Sequence, residues 1–351
     1  MHSEGMMSAF VPGLELCRAY YHDVLRPLLD DGPHPVPHSA ALIGPGSEVL
    51  GFDTARSADH DWGPRAIIFV PAGRAEEIRD RVWKRLPAEY GGFPTAFGSD
   101  LHPVRPGVTV TEFTPWARDL LGFDPRGPIG VDDWLGVPWQ RLAEFTGGDV
   151  FHDGLEELCP ARRRLRWYPD DVWRYVLACQ WTRIAQEESF PGRAGEVGDD
   201  LGSVLATGRI ARDLMRLTLL MRRRYPPYTK WLGSAFNRLS GSAELGDALT
   251  GALRETTWQG REHHLSTAYR RVAALHNRLN LTEPVEPGTR PYHDRPFQVI
   301  GGHRFARALM DAVTDPAIAR LDLVGTVDQV ADNTDALTHP RRARNLAAAA
   351  R

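Results

Sequence analysis

Lysine is nearly absent: of 42 basic side chains only Lys84 and Lys230 are lysines. Such an arginine bias is usual of GC-rich coding, and it singles out each remaining lysine. Cysteine is scarce too, with Cys17, Cys159 and Cys179 scattered and odd in number. That excludes a disulfide framework and a zinc knuckle, and it suits a reducing, cytoplasmic setting. No apolar run approaches the roughly 18 residues needed to cross a bilayer, so no membrane partner is expected. The start, "MHSEGMMSAF", lacks a basic segment followed by an apolar one, so no signal peptide is expected. A net charge of −3 lacks the excess of one sign that marks a polyanion binder, which argues against a long nucleic acid. What is present is a hydrophobic fraction of 42% with 25% charged residues, the balance of a soluble globular protein. The 351 residues suffice for two domains.

The two halves read differently. Apolar residues at Cys17, Tyr20, Tyr21, Val24, Leu25 and Leu28 predict a helix over 14–29, ended by "DDGPHP". "AALI" (40–43) and "AIIFV" (66–70) are bounded by Gly or Pro and read as buried strands. Residues 74–86 form an amphipathic helix, and "VTVTEF" (108–113) alternates like a third strand. Beyond Trp116 strand signals almost vanish, and helical spacing recurs over 170–188, 201–224, 261–279 and 304–313. The expected fold class is α+β: a small mixed sheet with helices over 1–125, then a mainly helical domain over 126–340. The alanine-rich residues 341–351 are expected to fray. Turn residues between Gly122 and Gly148 place the boundary.

Between the first two strands lies "GPGSEVLGFDTARSADHDW" (44–62). Gly44 and Gly46 permit a tight turn whose N–H groups can bind phosphate oxygens, and the Ser47 hydroxyl adds a donor. Asp59 and Asp61, if on a strand, point to one face about 7 Å apart. Two carboxylates so placed repel unless a cation intervenes, and Mg2+ or Mn2+ is the natural filler. Metal carboxylates beside a phosphate-cradling turn amount to a nucleoside-triphosphate site. The bland alternative is an acidic, Gly-rich loop needing no metal.

This arrangement resembles the nucleotidyltransferase fold of DNA polymerase beta, the aminoglycoside nucleotidyltransferases and the poly(A)- and CCA-adding enzymes. Their strand, Gly-Ser turn and Asp-x-Asp are matched by Gly46-Ser47 and Asp59-x-Asp61 in order and spacing. The helical second half looks like the acceptor-binding domain many of them carry. More narrowly, "ADHDWGPR", "YPDDVW", "PYTKW", "RPF" and "VDQ" look like a bacterial family of such folds known as domain of unknown function 4037. The resemblance implies Mg2+-dependent transfer of an NMP from an NTP, ATP favoured, to a hydroxyl-bearing acceptor. It departs at His60, where an apolar residue is usual, and at Gly63-Pro64, which interrupts the second strand and implies a bulge or edge.

Two-metal phosphoryl chemistry usually needs a third acid, and Glu112 at the end of "VTVTEF" is the candidate. Arg56 joins Gly44, Gly46 and Ser47 on the nucleotide side. In the second half, "RRYPPYTKWLGSAF" (223–236) offers Tyr225, Tyr228 and Trp231 for stacking and Lys230 for a phosphate, or else a packed helix junction. Asp199 and Asp200 read as a helix N-cap. Two basic knots, "CPARRRLRW" (159–167) and "MRRRY" (221–225), are solvated helix faces or walls of a phosphate cleft. Two rivals stand beside transfer. One is a nucleotide-binding sensor or scaffold. The other is an HD-type metal phosphohydrolase drawing on His22-Asp23, His60-Asp61, His152-Asp153, His293-Asp294, His263-His264 and His276.

Overall fold

The structure is a computed structural model that describes residues 10–31, 35–59, 62–99 and 102–350. It is α+β, with a small mixed sheet in the N-terminal part and a helical C-terminal part. The chain forms two compact units: Met1–Pro128 with Arg141–Arg166, and Ile129–Gln140 with Trp167–Arg351.

The first unit opens with α1 (Gly13–Tyr20), which widens into a π-helical turn at Tyr21–Leu25 and continues over Arg26–Asp30. Pro27 has no N–H for the preceding turn, and the widened turn is how the helix accommodates it. The same widening brings the adjacent Tyr20 and Tyr21 both into the core. Strands β1 (Ser39–Leu42), β2 (Ala66–Phe69), β3 (Val108–Thr111) and β4 (Asp149–Asp153) lie in the order β3-β2-β1-β4. β1 is antiparallel to both neighbours, with Ala40 opposite Ile68 and His152. β2 and β3 are parallel, with Ile68 opposite Val110. A parallel pair needs a crossover, and α2 (Ala75–Trp83) supplies it. Its Ile78 and Val82 join the core of the sheet, and Trp83 Nε1 donates to Val108 O at 2.9 Å. α3 (Phe113–Leu121) follows β3.

β4 and α4 (Leu158–Leu165) lie in the first unit, past the region of 122–148 where turn residues place the boundary. All five β4 residues are half-buried, so the strand has none of the apolar pattern that marks β1 and β2.

The second unit is helical apart from the pair Arg290–Tyr292 and Arg295–Val299. α5 (Asp170–Glu187) buries Trp173, Tyr175, Val176, Leu177 and Trp181 on nearly all sides, as a central helix must. It is followed by α6 (Phe190–Glu196), α7 (Asp200–Met221), α8 (Thr229–Asn237), α9 (Ala243–Arg254), α10 (Trp258–Arg278) and α11 (Gly302–Asp311), of which α7 and α11 pack against it. Phe305 of α11 stacks on Trp181 with ring centroids 4.2 Å apart. Glu188, buried past the end of α5, accepts from the N–H groups of Ile300 (3.0 Å) and Gly301 (2.9 Å). The "VDQ" residues are internal: Asp328 accepts from Trp139 N–H, and Gln329 donates to Val176 O and Gln180 Oε1. The alanine-rich end does not fray as expected. Pro340–Ala350 is a helix that buries Ala343 and Ala347 beside Val327, and Arg344 pairs with Asp133 at 2.7 Å.

Candidate functional site

The stretch between β1 and β2 is a chain of turns. Gly44 (φ +88°) leaves the strand, with its N–H on Glu144 O at 2.9 Å. Gly46 has φ +148°, and a Cβ there would overlap the Arg65 guanidinium. Glycine is therefore favoured by the backbone conformation, with the Arg65 guanidinium lying against it. Arg65 Nη2 donates to Pro45 O at 2.7 Å and pairs with Glu48, whose side chain is only 4% exposed. Ser47 opens a turn rather than a helix, closed by Phe52 N–H on Ser47 O at 2.7 Å. Asp53 Oδ2 accepts from Gly13 N–H at the start of α1, at 2.7 Å.

A 3₁₀ turn, Ala55–Asp59, follows, with Arg56 exposed on it. This corrects the strand expected to carry Asp59: the turn ends with Asp59, and the ladder begins only at Ala66. The cause lies in the intervening Gly63-Pro64. Proline brings no N–H to a ladder, and the flanking backbone is engaged by α1 instead. Cys17 Sγ donates to Gly63 O at 3.6 Å and accepts from Arg65 N–H at 3.3 Å. Burial pushes the Cys17 thiol up to about 12, so it acts here as an anchor and not as a nucleophile. Asp61 and His60 lie outside the described residues.

Glu112 stands one position past β3, not on it, and its Oε1 accepts from Gly73 N–H at 2.8 Å. It thus fastens the turn after β2, where Gly73 has φ +75°. Three acids near the two strand ends, Glu48, Asp53 and Glu112, therefore each have a partner inside the unit. Arg65 and Glu48 escaped the sequence reading, because nothing local signals that residues 17 apart will pair.

The basic knot of α4 is structural. Arg162 donates to the carbonyls of Gly147 (2.9 Å) and Thr146 (3.0 Å), and Arg164 donates to Gly127 O (2.8 Å). Asp153 beside it accepts from Ser39 Oγ and from the N–H groups of Leu158 and Cys159. Burial works to raise that carboxyl, and the hydrogen bonds more than offset it, leaving it below the ordinary carboxylate range.

In the second unit, Tyr225 is a core residue packed against Trp167 (4.8 Å) and Tyr168 (5.3 Å), and burial pushes its hydroxyl well above the usual range. Tyr228 and Trp231 meet edge to face at 4.8 Å at the start of α8, and exposed Lys230 sits 5.5 Å over the Trp231 ring. Asp199 caps α7 by accepting from Gly202 N–H at 2.8 Å, and Asp200 pairs with buried Arg261 at 2.6 Å. His276 is walled in by Trp181 and Phe305, and burial lowers it to about 4. Among the described residues no group of three His, Cys, Asp or Glu side chains is placed to hold a metal.

The fold thus joins a strand–glycine turn–strand unit to a helical unit with a cation-bearing aromatic corner. Residues 134–232 match the family described as Domain of unknown function (DUF4037), the family that the sequence resembles. The matched stretch takes in β4 and α4 of the first unit and α5 to α7 of the second, with "YPDDVW" and "PYTKW" inside it. No curated protein and no solved structure matches the chain.

Proposed function

We propose that the chain is a divalent-cation-dependent nucleotidyltransferase that moves an NMP, AMP first among them, from an NTP to a hydroxyl of a small acceptor. The observation supporting this reading is the segment after β1. Gly44 and Gly46 take positive φ around a Ser47 turn, and Asp59 ends the 3₁₀ turn twelve residues later, before β2. The Gly44 N–H is taken by Glu144 O, so phosphate oxygens would be met by the N–H groups that follow it, at Gly46 and Ser47. Glu48 and Asp53 are occupied by Arg65 and by Gly13 N–H, and the acids the sequence motif offers to a cation are Asp59 and Asp61. Both are hard oxygen donors, as Mg2+ or Mn2+ requires. A bound cation would neutralise triphosphate charge.

In this reading the acceptor oxygen bonds to the α-phosphorus, the bond to pyrophosphate breaks, and the hydroxyl proton passes to a base or to water. Arg56 and Ser47 contact the nucleotide, and Lys230 and Tyr228 are the second unit's candidates for contact with a phosphate or a ring. The engagement of Glu112 by Gly73 favours a second reading, a nucleotide-binding sensor without turnover.

The test is incubation with each NTP and Mg2+ across hydroxylated metabolites, with pyrophosphate release and NTP binding measured together. Transfer with release supports the first reading, and binding without release supports the sensor. Equal NTP binding in EDTA and in Mg2+ overturns both as metal-assisted proposals. Glu112→Gln keeps an acceptor for Gly73 N–H and removes a base, so a lost rate with retained folding assigns Glu112 to proton transfer.

A further inference from the structure

The second basic knot, "MRRRY", differs from the first. Arg222, just past the end of α7, lines a cleft of about 230 Å³ with Arg271 and Arg278 of α10 and the loop Ser240-Gly241-Ser242 before α9. Val272, Leu275 and Leu245 form its apolar floor. Glu244 also lines the cleft and is paired with Arg271, whereas Arg222 and Arg278 have no carboxylate partner among the described residues. Two cations surplus to internal pairing therefore converge on one concavity.

The loop adds donors. Gly241 takes φ +76°, which turns the chain into α9. Ser242, at the N-cap position, donates its hydroxyl to Leu239 O at 2.8 Å and makes no side-chain bond to the helix. The first N–H groups of the twelve-residue α9 are thereby left to an acceptor from outside, at the positive end of the helix dipole. Arginine forks match phosphate oxygens in geometry as well as charge. The cleft is smaller than the roughly 300–1,000 Å³ of sites that enclose a drug-sized ligand, so it suits a compact anionic group.

We propose that this cleft binds a phosphate or phosphomonoester group of a small molecule, held by Arg222, Arg278 and the loop at 240–242. It is independent of the transfer reading above and needs no divalent cation.

The experiment titrates the whole chain in EDTA with inorganic phosphate and methyl phosphate, by calorimetry and by amide NMR shifts. Binding is expected, with the shifts concentrated on Gly241, Ser242 and the first residues of α9. It should weaken about tenfold or more in Arg222→Gln/Arg278→Gln, through loss of charge-assisted hydrogen bonds, and stay unchanged in Asp59→Asn. If the double variant does not fold, Arg222→Lys/Arg278→Lys keeps the charge and loses the fork, and an intermediate affinity is expected. Equal affinity in wild type and variants overturns the proposal. So does an absence of phosphate binding, or shifts that leave Gly241 and Ser242 unmoved.

Discussion

The glycine turn of the first unit and the arginine cleft of the second treat charge in opposite ways. Around the turn, Glu48 is matched by Arg65, Asp53 by Gly13 N–H and Glu112 by Gly73 N–H. Around the cleft, Arg271 is matched by Glu244, and Arg222 and Arg278, which have no carboxylate partner among the described residues, line the same concavity as the loop at 240–242. Internal pairing holds a backbone in shape, whereas unmatched cations in a concavity are available to a ligand. The two basic knots repeat the lesson. Arg162 and Arg164 of α4 are engaged on carbonyls, whereas in the second knot Arg223 lies over Trp173 and the Arg222 side chain has no hydrogen-bond or carboxylate partner among the described residues.

The largest expected effect tests whether the turn does more than hold itself together. Asp59→Asn should slow nucleotidyl transfer on the order of a thousandfold, the loss of several kcal/mol of transition-state stabilisation. Its melting curve should match wild type. Wild-type single-turnover rates in both Asp59→Asn and Asp61→Asn would reduce the segment to an acidic turn.

Next comes the ion pair itself. Arg65→Leu strands the Glu48 carboxylate in a buried site, a loss of about 3–5 kcal/mol. Urea unfolding should show it, and Arg65→Leu/Glu48→Leu should recover much of the loss. Full stability in the single variant would mean that the turn does not depend on internal pairing.

A smaller effect concerns pH in the second unit. Burial pushes the Glu188 carboxyl up to about 7, against the pull of the Gly301 and Ile300 N–H groups. The folded state therefore holds this proton more tightly than the unfolded chain does. The resulting stability is complete below the usual carboxylate range and is lost as pH rises through about 7. Glu188→Gln removes the titration and keeps an acceptor, so its stability should decline less between about pH 5 and pH 8, by on the order of 1 kcal/mol. Parallel pH profiles for variant and wild type would contradict this.

The smallest effect is on Lys230. Exposed over the Trp231 ring, it contributes less than about 1 kcal/mol to folding. Lys230→Met should leave the melting temperature in place and weaken turnover, whereas Tyr225→Ala should cost about 3–5 kcal/mol of stability from the core. A Lys230→Met protein with full activity would remove Lys230 from the proposed site.

Local pattern carried the fold class. Apolar runs bounded by Gly or Pro announced β1 and β2, alternation announced β3, and helical spacing announced α5, α7, α10 and α11, because burial of one face is written residue by residue. The glycine turn was legible for the same reason, since Gly44 and Gly46 can take backbone conformations that other residues rarely adopt. Tertiary structure decided the rest. β4 joins the sheet with half-buried residues whose pattern says nothing on its own. Asp59 ends a 3₁₀ turn because Cys17 engages the backbone on either side of Pro64. Glu48 finds Arg65, Glu112 finds Gly73, and Arg222 and Arg278 come to line one cleft only once distant segments are brought together. For these residues, whether a charge is matched or left for a ligand depends on which distant segment folds against it, whereas pairs such as Arg74–Glu77 lie within one helical turn and can be read from the sequence.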